Sequence, residues 1–297
     1  MDVLKIVLQL LIPGLCLGCV YGLNGIGAAL LYKGSRTINN AQGAVVGVAA
    51  MMGYVFQQQL GMGLLLSTVC ASVIAFGLGI FLQIGFVSFM EKRAATYVVM
   101  GTVALSLIIT NISKLVFGTY TYESAVILIN GSKYLHLPFA DVSILWSNII
   151  AIILSIVAMF AIHYFLNYTK FGSGMRAAAM DPMAAESCGV SVKTTRAVTW
   201  GIMSLLGAVG GCLTGPLFGL SIGIGGVTGG KGNTGAVLGG YGNMYGAIIG
   251  GIIVGLVETG FGYMWSEYQA AFTNGLFLLC ILVLPRGIMN EKAIEEG

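Results

Sequence analysis

GSGMRAAAMDPMAAESCG, residues 172–189, is the longest polar interruption in an otherwise apolar chain. Its second half is punctuated as a short helix. Asp181 can accept hydrogen bonds from the first free amides. Pro182 suits the first helical position, where its missing N–H costs nothing, and Gly189 can close the end in a left-handed conformation. A helix this short does not persist alone in water, so it needs a surface to lie against. Met175, Ala178, Ala179, Met183 and Ala184 give the segment an apolar content that a free loop has no use for. The expectation is a capped helix at the membrane surface that docks on another protein. The alternative for Arg176, Lys193 and Arg196 beside Asp181 and Glu186 is a solvated loop surface.

On either side of this stretch the chain is built for a bilayer. Of 297 residues, 57% are hydrophobic and 8% charged, against about 25% charged in soluble domains, and the mean hydropathy is +0.92. Charges are absent from Ile6 to Tyr32, Thr37 to Met90, Ala94 to Ser113, Val142 to Thr169, Ala197 to Gly230, Gly232 to Val257 and Tyr268 to Pro285. A span needs about 20 apolar residues. The windows predict spans near 6–32, 44–56, 64–89, 97–117, 144–166, 197–218, 245–264 and 270–284. Residues 219–242 are glycine-dense and read as a discontinuous or half-depth crossing, tolerated only where protein or a cavity shields the backbone. The predicted fold is therefore an all-α polytopic membrane protein: about eight transmembrane helices plus one broken glycine-rich crossing. It forms a single transmembrane domain over 1–297, with a cytoplasmic loop at about 168–196. No basic leader with a small-residue cleavage site is present, so Met1 onward reads as mature chain.

Charge placement orients the chain. With the N-terminus outside and the broken segment counted as a crossing, Lys33, Arg36, Lys92, Arg93, Lys170, Arg176, Lys193, Arg196, Arg286 and Lys292 fall inside. Lys5, Lys114 and Lys133 fall outside, and Lys231 is ambiguous. That bias obeys the positive-inside rule and predicts an N-out, C-in chain.

Glycine, at 45 residues, is about twice its usual share of ~7%. Gly207, Gly211, Gly215 and Gly219 recur every four residues, as do Gly14, Gly18 and Gly22, the pair Gly246 and Gly250, and the pair Gly251 and Gly255. Such stripes let helix backbones approach closely. They serve static packing or helices that slide against each other.

No catalytic set emerges. His136 and His163 lie far apart, and neither has metal-ligand spacing to cysteines or carboxylates. Cys16-x-x-Cys19 has redox spacing but sits in a helix-like apolar run, where buried small residues are the reading. Gly225 to Lys231 imitates a phosphate loop, yet Gly232 stands where Ser or Thr should be, and no strand precedes it. Glu258 lies inside an apolar run. An acid there marks a pathway or gating residue facing the bundle interior, a structural hydrogen-bonding group between helices, or a carboxylate near the outer interface. Asn24 and Thr259 read as interhelical hydrogen-bonding residues. Asn39, Asn40, Gln42 and Gly43 are either a polar turn or a re-entrant break lining an inner pathway, and the sequence favours the turn.

Three longer motifs together resemble one family. GMRAAAMDPMAAESCGVSV at 174–192 is similar to the cytoplasmic loop of the permease subunits of bacterial branched-chain amino acid ABC importers, the shorter LivH type. GAVLGGYGNMYGAIIGGIIVGLVE at 235–258 resembles that family's AAVLGG-x-G-x-x-x-GA-x-x-GG-x-x-x-G-x-x-E, which places Glu258 on its intramembrane acid. LVLPRGIM at 282–289 resembles its close. The resemblance covers nearly the whole chain. It implies alternating access in the bacterial cytoplasmic membrane, with an ATPase-engaging set of Arg176, Ala179, Asp181, Pro182, Ala185, Glu186 and Gly189. The residues themselves offer a candidate pathway set of Asn24, Asn39, Asn40, Gln42, Gly43 and Glu258, of which the resemblance carries Glu258, and a packing set of Gly207, Gly211, Gly215 and Gly250. The implied partners are a LivM-type permease chain, two cytoplasmic ATPases that hold the ATP and magnesium, and an extracytoplasmic binding protein. No cofactor, metal site, nucleic-acid partner or enzymatic activity is expected on this chain. The family's N-F-A-H/Q-G-E is here Asn39-Asn40-Ala41-Gln42-Gly43-Ala44, and Lys231-Gly232-Asn233 replaces a more apolar approach. Both departures bear on the substrate, because relatives of the family carry urea, amides and other amino acids. An ion-coupled secondary transporter using the broken segment and Glu258 is the competing class; it leaves the capped helix unexplained.

Overall fold

The computed structural model describes residues 2–35, 38–91, 95–123, 133–137, 142–284 and 287–289. Arg36, Lys92, Arg93, Arg286 and Lys292, which entered the charge count, lie outside them, as does Pro285 at the expected end of the last span.

The chain is a bundle of helices in the order α1 (Asp2–Ser35), α2 (Gln42–Gln59), α3 (Leu64–Leu82), α4 (Ser88–Met90), α5 (Ala95–Phe117), α6 (Trp146–Tyr168), α7 (Lys170–Met180), α8 (Pro182–Ser187), α9 (Val192–Phe218), α10 (Ile222–Gly239), α11 (Met244–Met264) and α12 (Gln269–Val283). A wide π turn over Gln83–Val87 joins α3 to α4. One hairpin departs from the all-helical expectation: β1 (Tyr134–Leu137) pairs antiparallel with β2 (Val142–Leu145), Tyr134 opposite Leu145.

Seven segments among the described residues are long and apolar enough to span a membrane: 9–35, 64–90, 96–117, 146–168, 192–218, 244–264 and 266–283. The expected second span, α2, is not among them, because Gln42, Gln57, Gln58 and Gln59 make both its ends polar. The burial pattern differs from that of a soluble protein in that the exterior is apolar as well as the interior. Leu66, Val73, Leu107, Leu115, Val157 and Phe160 point outward from α3, α5 and α6, where acyl chains would meet them. The interior holds Leu23, Ile26, Leu206 and Ala247 on α1, α9 and α11.

Backbone approach decides how the centre packs. A Cβ added at Gly18 would stand 2.6 Å from the Ile252 Cα, and one at Gly255 would strike the backbone of Gly18. Gly251 closes in the same way on Gly22, Gly250 on Gly235, and Gly246 on Gly239. Thus α11 carries two glycine faces, one seated on α1 and one on α10. Lipid gives little hydrophobic drive between helices, so this close van der Waals fit is what holds them. On α9, Gly207 and Gly211 face Val46 of α2, Gly210 faces Asn24, and Gly215 is buried. Gly219 ends the helix at φ +77°.

The glycine-dense segment is one continuous helix, α10, and not a broken one. Its 18 residues rise about 27 Å. Eight of them are glycine, which in water would each cost about 1 kcal/mol against alanine. In a bilayer the helix is instead required, because an unpaired backbone group has no water to turn to. The neighbours press directly on its backbone: Gly225 and Gly229 against Gly43, Gly232 against Asn24, Gly235 against Gly251. The turn ahead of it is fixed by a two-way bridge, Tyr122 N–H to the Leu220 carbonyl (2.8 Å) and Leu220 N–H to the Tyr122 carbonyl (2.7 Å).

Candidate functional site

Three features stand apart from simple packing. The first is the helix pair leading into α9. Thr169 Oγ1 accepts from Gly172 N–H at 3.0 Å and starts α7. Arg176 on α7 donates to the carbonyl of Leu166 and, at 3.4 Å, to Asn167 Oδ1, tying α7 back to the end of α6. Asp181 Oδ1 accepts from Met183 N–H (2.9 Å) and Ala184 N–H (3.0 Å), with Pro182 at the first helical turn. Gly189 takes φ +83°, and Val190 N–H returns to the Ala185 carbonyl at 2.9 Å. The start, first turn and stop expected from sequence are all in place. Asp181, Pro182, Met183, Glu186 and Gly189 are exposed, Met183 by 82%. Ala185 is buried against Ala178 and Val192, so it supports the helix from beneath. Ala179 is half-buried. A groove of about 420 Å³ runs from Pro182, Met183 and Glu186 to Gln83, Ser88 and Glu91. Arg196 closes its floor by a 3.0 Å ion pair with Glu91, which also accepts from Gln83 at 3.0 Å.

The second feature is the polar break before α2. The turn that the sequence favours for Asn39–Gly43 is present at Asn40 and Ala41, and Asn39 and Gln42 beside it are buried. Gln42 Nε2 donates to the backbone carbonyl of Asn24 at 2.8 Å, and Asn24 lies eleven residues before the end of α1, about 16 Å along the axis. Asn39 Nδ2 reaches the Met203 sulfur at 3.4 Å, an equal distance into α9. Asn39 Oδ1 accepts from Ala41 N–H at 2.8 Å, and Thr102 Oγ1 on α5 accepts from Asn40 N–H at 3.3 Å. Side chains thus take up the backbone N–H groups of Asn40 and Ala41 at the turn. Asn24, Asn39 and Gln42 are buried, while Asn40 is exposed on a cleft of about 190 Å³ with Gly43, Ala44, Ser106, Thr110 and Asn233. The far wall of that cleft is an α10 face where Gly226 and Gly230 have nothing within 4 Å of a would-be Cβ.

The third feature is a buried charge cluster that the sequence only half disclosed. Glu258 on α11 forms an ion pair with Lys231 on α10. Its Oε1 also accepts from Gln269 Nε2 of α12 at 3.2 Å. The Lys231 ammonium stands 5.7 Å from the ring centre of Tyr21 on α1. Four helices thus meet at one acid. Lys231, Gln269 and Tyr21 were missed as partners, although a lone lysine and a lone acid in adjoining apolar segments are a readable sign of a pair. Glu258 is not part of the cleft at Asn40, so the expected pathway set divides into two places. Among the described residues, no group of three or more His, Cys, Asp or Glu could hold a metal.

Outward-facing apolar helices, glycine seams at the centre, a buried polar turn and a capped helix on one end define a multi-pass membrane protein of the permease class. The chain belongs to the family described as branched-chain amino acid transport system / permease component, which it matches over residues 10–284. It is 29% identical to the high-affinity branched-chain amino acid transport system permease protein LivH of Escherichia coli, with 97% of each chain covered. The corresponding permease protein BraD of Pseudomonas aeruginosa is also 29% identical over 97% of each chain. A probable LivH of Methanocaldococcus jannaschii is 25% identical, covering 89% of this chain and 86% of the relative. By fold the chain is similar to a chain of PsaBC from Streptococcus pneumoniae solved in complex with Fab, with a TM-score of 0.53, 13% identity and 98% of both chains covered.

Proposed function

We propose that this chain is the transmembrane permease subunit of an ATP-driven importer that moves branched-chain amino acids inward by alternating access. The observation that carries the reading is α8. A two-turn helix capped at both ends, exposed along its outer face and braced from beneath by Ala185 is a docking element that a self-sufficient carrier does not need. In this reading Asp181, Pro182, Glu186 and Gly189 meet a cytoplasmic ATPase, and Arg176 and Ala179 transmit its movement into α6 and α9. A LivM-type chain closes the cleft at Asn40, Gly43 and Ala44, and an extracytoplasmic binding protein delivers the substrate. The chain itself performs no hydrolysis; ATP and magnesium sit on the ATPases. The basic residues of α7 and α9 face the cytoplasm, with the N-terminus outside. An ion-coupled carrier is disfavoured because Lys231 already neutralises Glu258.

The test is uptake of labelled leucine into vesicles holding this chain and its partner subunits, with and without internal ATP. ATP-dependent uptake that falls when Asp181–Gly189 is deleted supports the reading. Uptake driven by an ion gradient without ATP, or ATPase co-purification unchanged by the deletion, refutes it.

A further inference from the structure

The cleft of about 190 Å³ at Asn40 carries polar side chains that the packing does not use. Ser106 and Thr110 stand one helical turn apart on one face of α5. Ser106 lies eleven residues from either end of that helix, at the middle of the span. Other hydroxyls of α5 bond back to their own helix: Thr102 donates to the Val99 carbonyl at 2.8 Å and Ser113 to the Ile109 carbonyl at 2.7 Å. The hydroxyls of Ser106 and Thr110 and the side-chain amide of Asn40 make no hydrogen bond among the described residues. Across the cleft, Asn233 Oδ1 on α10 is buried and also lacks a partner among them. Polar groups left unmatched at that depth are costly in hydrocarbon, so this set is built to meet something that enters. None of the described residues lining the cleft is charged. Lys231, next along α10, is committed to Glu258.

We infer that the cleft holds the polar end of a net-neutral solute in transit, the α-ammonium and α-carboxylate of a zwitterionic amino acid. Asn40, Ser106, Thr110 and Asn233 are its contacts. The inference rests on the importer reading above and adds to it the residues that read the solute. Amide oxygens accept from an ammonium, and hydroxyls and amide N–H groups donate to a carboxylate. A zwitterion needs both kinds at once, and two amides with two hydroxyls supply both. A wall without fixed charge has nothing to offset the desolvation of a net-charged solute. Lysine and glutamate are therefore refused where leucine is admitted. The same lack of charge favours release, because the strong bonds that an ionised side chain makes would hold the solute in place. The volume equals that of roughly six waters at ~30 Å³ each, room for the charged end of an amino acid with part of its side chain.

The experiment uses the full chain assembled with its partner subunits. Gly230→Cys puts a thiol on the cleft wall, where an added Cβ meets nothing within 4 Å. Its labelling by a water-soluble maleimide is followed by mass spectrometry in the presence of leucine, lysine or glutamate. Leucine should slow labelling several-fold, and the two charged amino acids should not. Ser106→Ala and Thr110→Val take away only hydroxyls that bond nothing among the described residues, so the unfolding temperature should stay where it is. Leucine uptake at limiting concentration should fall about ten-fold in each. That factor is about 1.4 kcal/mol, near the low end for one hydrogen bond to a charged group. Labelling that leucine leaves unchanged, together with parental uptake in both variants, overturns the proposal. Equal slowing by all three amino acids does the same. Protection by leucine without ATP-dependent uptake supports the site and refutes the importer reading. ATP-dependent uptake that neither variant alters supports the importer reading and refutes the site.

Discussion

Removing the ammonium from the buried pair is the sharpest perturbation the fold offers. Lys231→Met keeps the length and volume of the stem and deletes the charge. Glu258, whose side chain is 8% exposed, would be left with Gln269 on Oε1 and with Oε2 unpartnered among the described residues. Stranding one member of a buried pair costs about 3–5 kcal/mol. The lysine side chain is 21% exposed, so solvent screening lowers the figure to about 2–4 kcal/mol. At about 2–4 °C per kcal/mol for a chain of this order of size, the unfolding temperature should drop by about 4–16 °C. Removing both charges in Lys231→Met/Glu258→Leu should recover most of that loss, because replacing a buried pair with apolar side chains is often neutral. The assay is thermal unfolding of the full chain in detergent, read with a thiol-reactive dye, since Cys16, Cys19 and Cys212 are free and buried. A coupling energy of about 2 kcal/mol or more between the two sites is expected. A single variant within 1 °C of the parent, or a double variant whose loss equals the sum of the singles, would refute the pairing argument (both figures set by ordinary non-additivity).

Other expectations follow from the packing and the caps. Gly255→Ala drives a methyl into the Gly18 backbone and should cost about 1–3 kcal/mol as overpacking, whereas Gly77→Ala, with nothing within 4 Å, should be neutral or up to ~1 kcal/mol stabilising through helix propensity; parallel unfolding curves check both. Asp181→Ala should lose about 1 kcal/mol of local helix stability and reduce ATPase co-purification and uptake, with the global unfolding temperature unmoved because α8 is exposed. Gln42→Ala removes the donor to the Asn24 carbonyl at a fully buried position and should cost about 1–3 kcal/mol, seen as a lower unfolding temperature. Thr102→Val, which takes the Oγ1 acceptor from Asn40, should cost less, about 0.5–1.5 kcal/mol, because Asn40 faces the open cleft.

What the sequence disclosed was chemistry that acts within a few residues. Asp181, Pro182 and Gly189 are read by position alone, since each acts on its own turn of helix, and the structure has all three in those conformations. The four-residue glycine stripes of α1 and α11 were legible for the same reason, although nothing in them said which face met which helix. At Asn39–Gly43 the turn is legible in the sequence and its burial is not, because a short polar run looks the same exposed as buried. The residues that bury it, Asn24 and Met203, come from helices distant in the chain. The glycines of α10 misled because helix propensity is a property of peptides in water, and this helix is held by backbones of α2, α1 and α11. Lys231 stayed ambiguous for want of its partner, 27 residues away.

The seams of α1 and α11, and of α10 and α11, set glycine against glycine at 22 and 251, 18 and 255, 235 and 250, and 239 and 246. In an ordinary core a bulky newcomer can be accommodated by trimming the residue opposite. Here the residue opposite has no side chain to trim. Every substitution at such a pair adds volume, and no second substitution across the seam can give it back. These positions are therefore closed to the stepwise compensation by which cores drift. Divergence at the centre of this bundle has to proceed by moving whole helices, while the lipid-facing surface remains free to vary one residue at a time.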